Sequence, residues 1–128
     1  MPLLLLLLLG AIDLGRLAKF DTALASGARA GAQYGSLNLE TADDLTGMQT
    51  AADNDMSNLS LSGITVTPST YCTCLGSVVS CTATACASPN HRLLFVSVSV
   101  TGTFTPLFRY FSSTATARTR TASLEVGQ

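Results

Sequence analysis

One uninterrupted helical stretch at the start of the chain constrains everything after it. Met1-Pro2 leads into seven leucines, Leu3 to Leu9, followed by Gly10-Ala11-Ile12-Asp13-Leu14-Gly15-Arg16. Up to Ile12 the stretch is wholly apolar. From Asp13 onward it carries charge and many small residues, among them Ala23, Ala25, Gly27, Ala28, Ala30, Gly31, Ala32 and Gly35. No proline interrupts it after Pro2, and proline suits a first helical turn. The pattern therefore predicts one continuous helix over residues 1–36.

The apolar half is short for a bilayer. Twelve residues at ~1.5 Å each reach ~18 Å, whereas a spanning helix needs about 20 residues for ~30 Å. Three readings compete. A buried core helix would have to hide leucine on every face, which a chain of 128 residues rarely does. A signal peptide would cleave near Ala23-Leu24-Ala25. Yet Asp13, Arg16, Lys19 and Asp21 separate the apolar run from that site, and no basic residue precedes the run. We favour the third reading, a single-pass membrane helix whose first residues lie upstream of Met1. Asp13 and Arg16, three apart, then pair as membrane-boundary charges.

A second row of residues qualifies the same helix. Ala23, Gly27, Gly31 and Gly35 recur every four positions and so share one face. Glycine costs ~1 kcal/mol against alanine inside a helix, so such a row implies an offsetting close contact. It fits packing against the protein's own sheet, against the helix of another subunit, or both along one helix.

The segment Leu3 to Arg16, followed by Ala28-Arg29-Ala30-Gly31-Ala32, resembles the start of TadE-like proteins, pseudopilins of the tight-adherence (Flp) pilus assembly system. The tail resembles the family too: Phe95-Val96-Ser97-Val98-Ser99-Val100, then Phe104-Thr105-Pro106-Leu107-Phe108, then an Ala/Thr-rich strand with Arg118. The resemblance implies a pilin-like fold. It also implies a short upstream leader with a prepilin peptidase site, and partners among other pilin-like subunits, the pilus assembly machinery and the inner membrane. Topology divides the two lines of argument. Arg16 and Lys19 follow the apolar run, so the positive-inside rule alone places the C-terminal part in the cytoplasm. The resemblance implies the reverse, a head in the periplasm or at the cell surface, and we follow the resemblance.

Downstream, residues 37–128 read as one small α+β head. Ser36 to Glu40 reads as a linker. Thr41 is expected to cap a second, short helix with a buried stripe at Leu45, Met48, Ala52, Met56 and Leu59. Ile64 to Thr67 alternates as a strand that Pro68 should end, Tyr71 to Cys74 suggests a further short strand, and residues 75–90 read as loop. Arg92 to Phe104 is the clearest strand: Leu94, Val96, Val98 and Val100 share one face, and Ser97, Ser99, Thr101 and Thr103 the other. Leu107, Phe108, Tyr110 and Phe111 suggest an apolar plug. Thr114 to Val126 returns as a strand whose parity is muddled, Ala115 and Ala117 pointing one way and Leu124 and Val126 the other. A bulge between Arg118 and Ala122 would reconcile them.

Charge is scarce, 12% of residues against ~25% in ordinary globular chains, and it is segregated. Glu40, Asp43, Asp44, Asp53 and Asp55 occur with no base among them; Arg92, Arg109, Arg118 and Arg120 occur with no acid. These are either two solvated faces or complementary surfaces between subunits. A net charge of −1 gives no reason to expect nucleic acid as a partner.

Cys72, Cys74, Cys81 and Cys86 crowd one polar loop, residues 72–86, with His91 just beyond. The C-x-C and C-x4-C spacing suits zinc poorly, and the Ser/Thr-rich surroundings favour disulfides. Cys72 and Cys74 point the same way on a strand, so each is expected to bond Cys81 or Cys86, in either order. No nucleophile elbow, P-loop or dinucleotide fingerprint occurs, Asp53 and Asp55 lack the rest of a calcium loop, and one histidine cannot build a multi-histidine metal site. The expectation is a structural protein without catalytic residues, cofactor, metal or small-molecule substrate. Its architecture is pilin-like α+β: a membrane and assembly helix over residues 1–36 packed on a small antiparallel sheet, with a second short helix. The alternatives are a membrane-anchored envelope binding module unrelated to pili and, last, a cytoplasmic zinc-binding protein.

Overall fold

The structure, a computed structural model, describes residues 1–59, 61–82, 86–108 and 115–127. Its first element, α1, runs unbroken over Pro2–Gly35, with Pro2 in the first turn as anticipated. At ~1.5 Å per residue it is ~50 Å long, and its two halves have different surroundings. Phe20, Ala23, Leu24, Gly27, Ala28, Gly31, Ala32 and Gly35 are buried, a face repeating every three or four residues. Before Phe20 no residue of the helix is buried.

The second helix is two pieces. Helix α2 covers Leu39–Asp43 and α3 covers Leu45–Met56, followed by a 3-10 turn at Ser57–Leu59. The expected linker is therefore partly helical, and Thr41 is not an N-cap. Asn38 caps α2: its Oδ1 accepts the Thr41 N–H at 2.9 Å, and Thr41 Oγ1 accepts the Asn38 N–H at 3.1 Å. That reciprocal pair is a capping box built with threonine in the glutamate's place. Asp44 then caps α3, accepting the Gly47 N–H at 2.9 Å. Met48, Ala52 and Met56 form the buried stripe of α3, while Leu45, expected in it, lies exposed at the first turn.

Among the described residues there are four strands: β1 (Thr65–Cys74), β2 (Ser77–Val79), β3 (Leu93–Phe104) and β4 (Thr116–Glu125). They form one antiparallel sheet in the order β2-β1-β3-β4. Strand β3 is the central one and follows its alternation. Val96, Val98 and Val100 are fully buried on the helix side, and the intervening serines and threonines face outward.

Strand β1 runs straight through Pro68, which pairs with Val98, and takes in Tyr71 to Cys74. Its other neighbour, β2, reaches only Cys72 to Cys74, so Pro68 lies where that edge of β1 is open and a missing N–H costs no ladder bond. Strand β2 occupies part of the stretch read as loop. It is joined to β1 by a two-residue turn, Leu75-Gly76, with both residues at positive φ (52° and 84°), the turn that matches strand twist.

Strand β4 has no bulge. Its register against β3 is constant from Phe95↔Glu125 to Phe104↔Thr116. The muddled parity has another cause: Arg118 and Arg120 share the helix-side face with Ala122 and Leu124, opposite Gly102 and Val100.

The core is a single cluster between α1, α3 and the sheet. It contains Phe20, Leu24, Ala28, Ala32, Met48, Ala52, Met56, Val66, Val96, Val98, Val100 and Val126. It is aliphatic and small, as the sparse aromatics foretold. The outer face of the sheet is a hydroxyl ladder. Ser99 pairs with Thr121 at 2.8 Å, Thr101 with Thr119 at 2.9 Å, and Ser123 donates to Ser97 at 3.1 Å. The end of the chain is tied back: the Val126 N–H donates to the Leu94 carbonyl and the Gly127 N–H to the Ser36 carbonyl.

Candidate assembly surface

The apolar half of α1 leaves the head uncovered. Leu3 to Leu8 are each exposed to between 57% and 73%, and Ile12 and Leu14 lie open beyond them. An apolar surface this continuous is rare on a monomer in water and marks a surface that meets lipid or other protein. Among the described residues no helix is long and apolar enough to cross a membrane. The expected single-pass helix is therefore not met by α1: the apolar run ends at Asp13, and Arg16, Lys19 and Asp21 follow within little more than two turns.

Where the apolar half meets the head, Asp13 joins two distant parts of the chain. Its carboxylate accepts the backbone N–H groups of Leu107 at 3.2 Å and Phe108 at 3.1 Å, across 94 and 95 residues of sequence. Arg16 lies 3.5 Å from the same carboxylate and stands 5.7 Å over the Phe104 ring. The charge pair that sequence spacing suggests is present, and its larger role is to hold the segment after β3 against the helix. Leu107 is exposed instead of plugging a gap; Tyr110 and Phe111 lie outside the described residues, as does Arg109.

The small-residue row faces inward. A Cβ on Gly27 would meet Met56 Sδ at 2.6 Å, one on Gly31 the Met48 carbonyl oxygen at 2.9 Å, and one on Gly35 Met48 Sδ at 2.6 Å. Val98 closes the other side of Gly31. The row thus brings α3 and β3 of the same chain against α1, and Ala23 is buried with it.

A cleft of about 430 Å³ runs between α1 and β4, lined by Asp21, Thr22, Ala25, Ser26, Arg29 and Arg120. Arg120 Nη2 donates to Asp21 Oδ2 at 2.8 Å. Among the described residues, Asp21 Oδ1 and Arg118 Nε are buried without a hydrogen-bond partner. The sequence reading missed this group. Its signal was there: Arg118 and Arg120 have the parity of Leu124 and Val126, which places charge on the core side of the sheet and demands a partner from the helix.

The cysteine loop is closed by two bridges, Cys72–Cys81 and Cys74–Cys86, with Cα separations of 5.2 and 5.7 Å. All four sulfurs are committed, so the zinc alternative has no thiolates to use. Among the described residues no group of three or more His, Cys, Asp or Glu is placed to hold a metal ion. His91 is exposed, as are Asp53 and Asp55. At the junction of α1 and α3, the Tyr34 hydroxyl donates to Asp44 Oδ2 at 2.9 Å. That hydrogen bond and the carboxylate's charge raise the Tyr34 phenol above its ordinary pKa of 10.0.

Residues 1–33 match the family model described as TadE-like protein, the family the sequence resembles. The match covers the whole apolar half of α1 and most of its buried half. No curated protein and no solved structure matches the chain.

Proposed function

We propose, from the TadE-like match over α1, that this chain is a structural subunit of a tight-adherence type pilus system in the bacterial envelope, a minor pilin or pseudopilin that assists assembly. The observation that carries the reading is that the matched segment includes the surface the fold leaves bare, Leu3 to Leu8. A head that is packed and disulfide-bonded on the second half of α1 frees the first half for lipid of the inner membrane or for neighbouring helices. The chemistry is association. The two disulfides suit a head outside the cytoplasm.

Strains lacking the protein test this directly. Loss of pili, restored by the native chain but not by Leu5→Asp/Leu8→Asp, is the expected result; both leucines are exposed and share a helix face, so the head keeps its disulfides and its fold. Normal piliation in the deletion strain overturns the reading. If the protein then still fractionates with the membrane, it is an envelope binding module unrelated to pili. The glycine row is the wrong place for this test, because leucines there would displace α3 and unfold the head.

A further inference from the structure

We propose that the acidic α2–α3 flank of one copy docks against the arginine-lined α1/β4 flank of a second copy, so that the heads associate head to tail. This deepens the structural-subunit reading above and names the partner as the chain itself. Glu40, Asp43, Asp44, Asp53 and Asp55 are all exposed on α2 and α3. No lysine or arginine occurs between Ala30 and His91 to neutralise them. Among the described residues none of the five makes an ion pair; Asp44 takes only the Tyr34 hydroxyl and the Gly47 N–H. On the other flank Arg29 and Arg120 are exposed and line the 430 Å³ cleft, and Arg118 follows on the same face of β4. Among the described residues Asp21 is the one carboxylate lining that cleft and is taken by Arg120, and Arg29 makes no ion pair.

The two flanks face away from each other. In the order β2-β1-β3-β4, α1 lies over β3 and β4 while α3 packs on the far side of α1 and over β1. Acid and base therefore sit at opposite ends of the helix layer, and a subunit cannot satisfy itself. A contact between unlike flanks is heterologous and leaves a free flank at each end, the geometry of an open array. The competing two-fold contact, β4 edge to β4 edge, sets Arg118 and Arg120 of both copies side by side and is opposed by like charge. Single exposed ion pairs contribute little, so the contact depends on several acting together and weakens with salt.

The test uses the full chain in neutral detergent micelles, with self-association followed by sedimentation velocity. Native protein should associate at low salt and separate at high salt. Arg29→Glu/Arg120→Glu and Asp53→Lys/Asp55→Lys should each weaken self-association about tenfold. Mixed together they should reassociate one to one, because each then supplies the charge the other lacks. Since Arg120 also pairs with Asp21, Arg29→Glu and Asp53→Lys form a second matched pair that disturbs no ion pair within the subunit. Three results overturn the proposal: native protein that stays monomeric at low salt, association indifferent to salt, or variants that associate like the native chain or fail to combine when mixed. The pilus reading stands or falls separately on piliation. Lost pili in the deletion strain with unaltered association of the charge variants sinks the docking alone; normal pili with charge-dependent association sinks the pilus reading alone.

Discussion

Leu75 holds φ at 52° in the β1–β2 turn, with its side chain 82% exposed. A leucine there meets the left-handed penalty of ~1 kcal/mol or more and recovers nothing by burial. Leu75→Asn should raise stability by about 1 kcal/mol, read as a higher urea midpoint at unchanged slope. The pairing of Asp13 with Arg16 was legible because the two stand three residues apart; the bonds of Asp13 to Leu107 and Phe108 were not, since no local pattern reports a contact 94 residues long. Hydrogen bonds to a charged acceptor are worth ~1.5–3 kcal/mol, so Asp13→Ala should speed amide exchange at Leu107 and Phe108 by about tenfold or more, with β3 amides unchanged. Tyr34 gives a pH signature. Its raised pKa means the folded state holds the phenol proton more tightly than the unfolded chain. The associated stability is complete below pH 10.0 and is lost as pH rises through the higher folded value. An ultraviolet titration should show Tyr34 ionising above pH 10.0. Asp44→Asn should bring that step down, and Tyr34→Phe should remove it.

The elements divide by how local their causes are. Helix α1 and strand β3 were legible almost to the residue, because a proline-free run and a strict alternation each carry their own period. The α2–α3 break was not, because it rests on Asn38 and Asp44 capping in succession, where the sequence offered Thr41 as an equally good start. Strand β4 misled for a physical reason: an arginine on a core face looks like a register error until Asp21 on α1 is known to receive it. The seam of α1 against α3 makes a graded prediction. Gly31→Ala drives a Cβ onto the Met48 carbonyl oxygen at 2.9 Å, and backbone cannot swing aside. It should destabilise by about 1–3 kcal/mol despite the gain in helix propensity. Gly27→Ala has side-chain atoms of Met56 as its nearest neighbours, which can swing aside, and should cost clearly less in the same urea titration. Equal losses at the two sites would show that α3 moves as a rigid body.

In the whole molecule a small aliphatic core is asked to hold a four-stranded sheet to α1 and α3, and covalent bridges assist it. Loops of 9 and 12 residues are closed by the two disulfides, each expected to contribute about 2–3 kcal/mol. Reduction should lower the melting temperature of the head sharply, and Cys72→Ala/Cys81→Ala should reproduce about half the effect by differential scanning calorimetry. The tether at the far end carries a further consequence, for the order of folding. Val126 is buried at 2%, and Gly127 donates to the carbonyl of Ser36, where α1 stops. Residues 20–35 find neighbours both soon after them, as Tyr34 finds Asp44 10 positions on, and late, as Asp21 finds Arg120 99 positions on. As the chain emerges from the ribosome, the face of α1 around which the head condenses is made before α3, β3 and β4, the segments that cover it. Its completion waits on β4 and Val126, and until then it offers the cell two apolar surfaces instead of one.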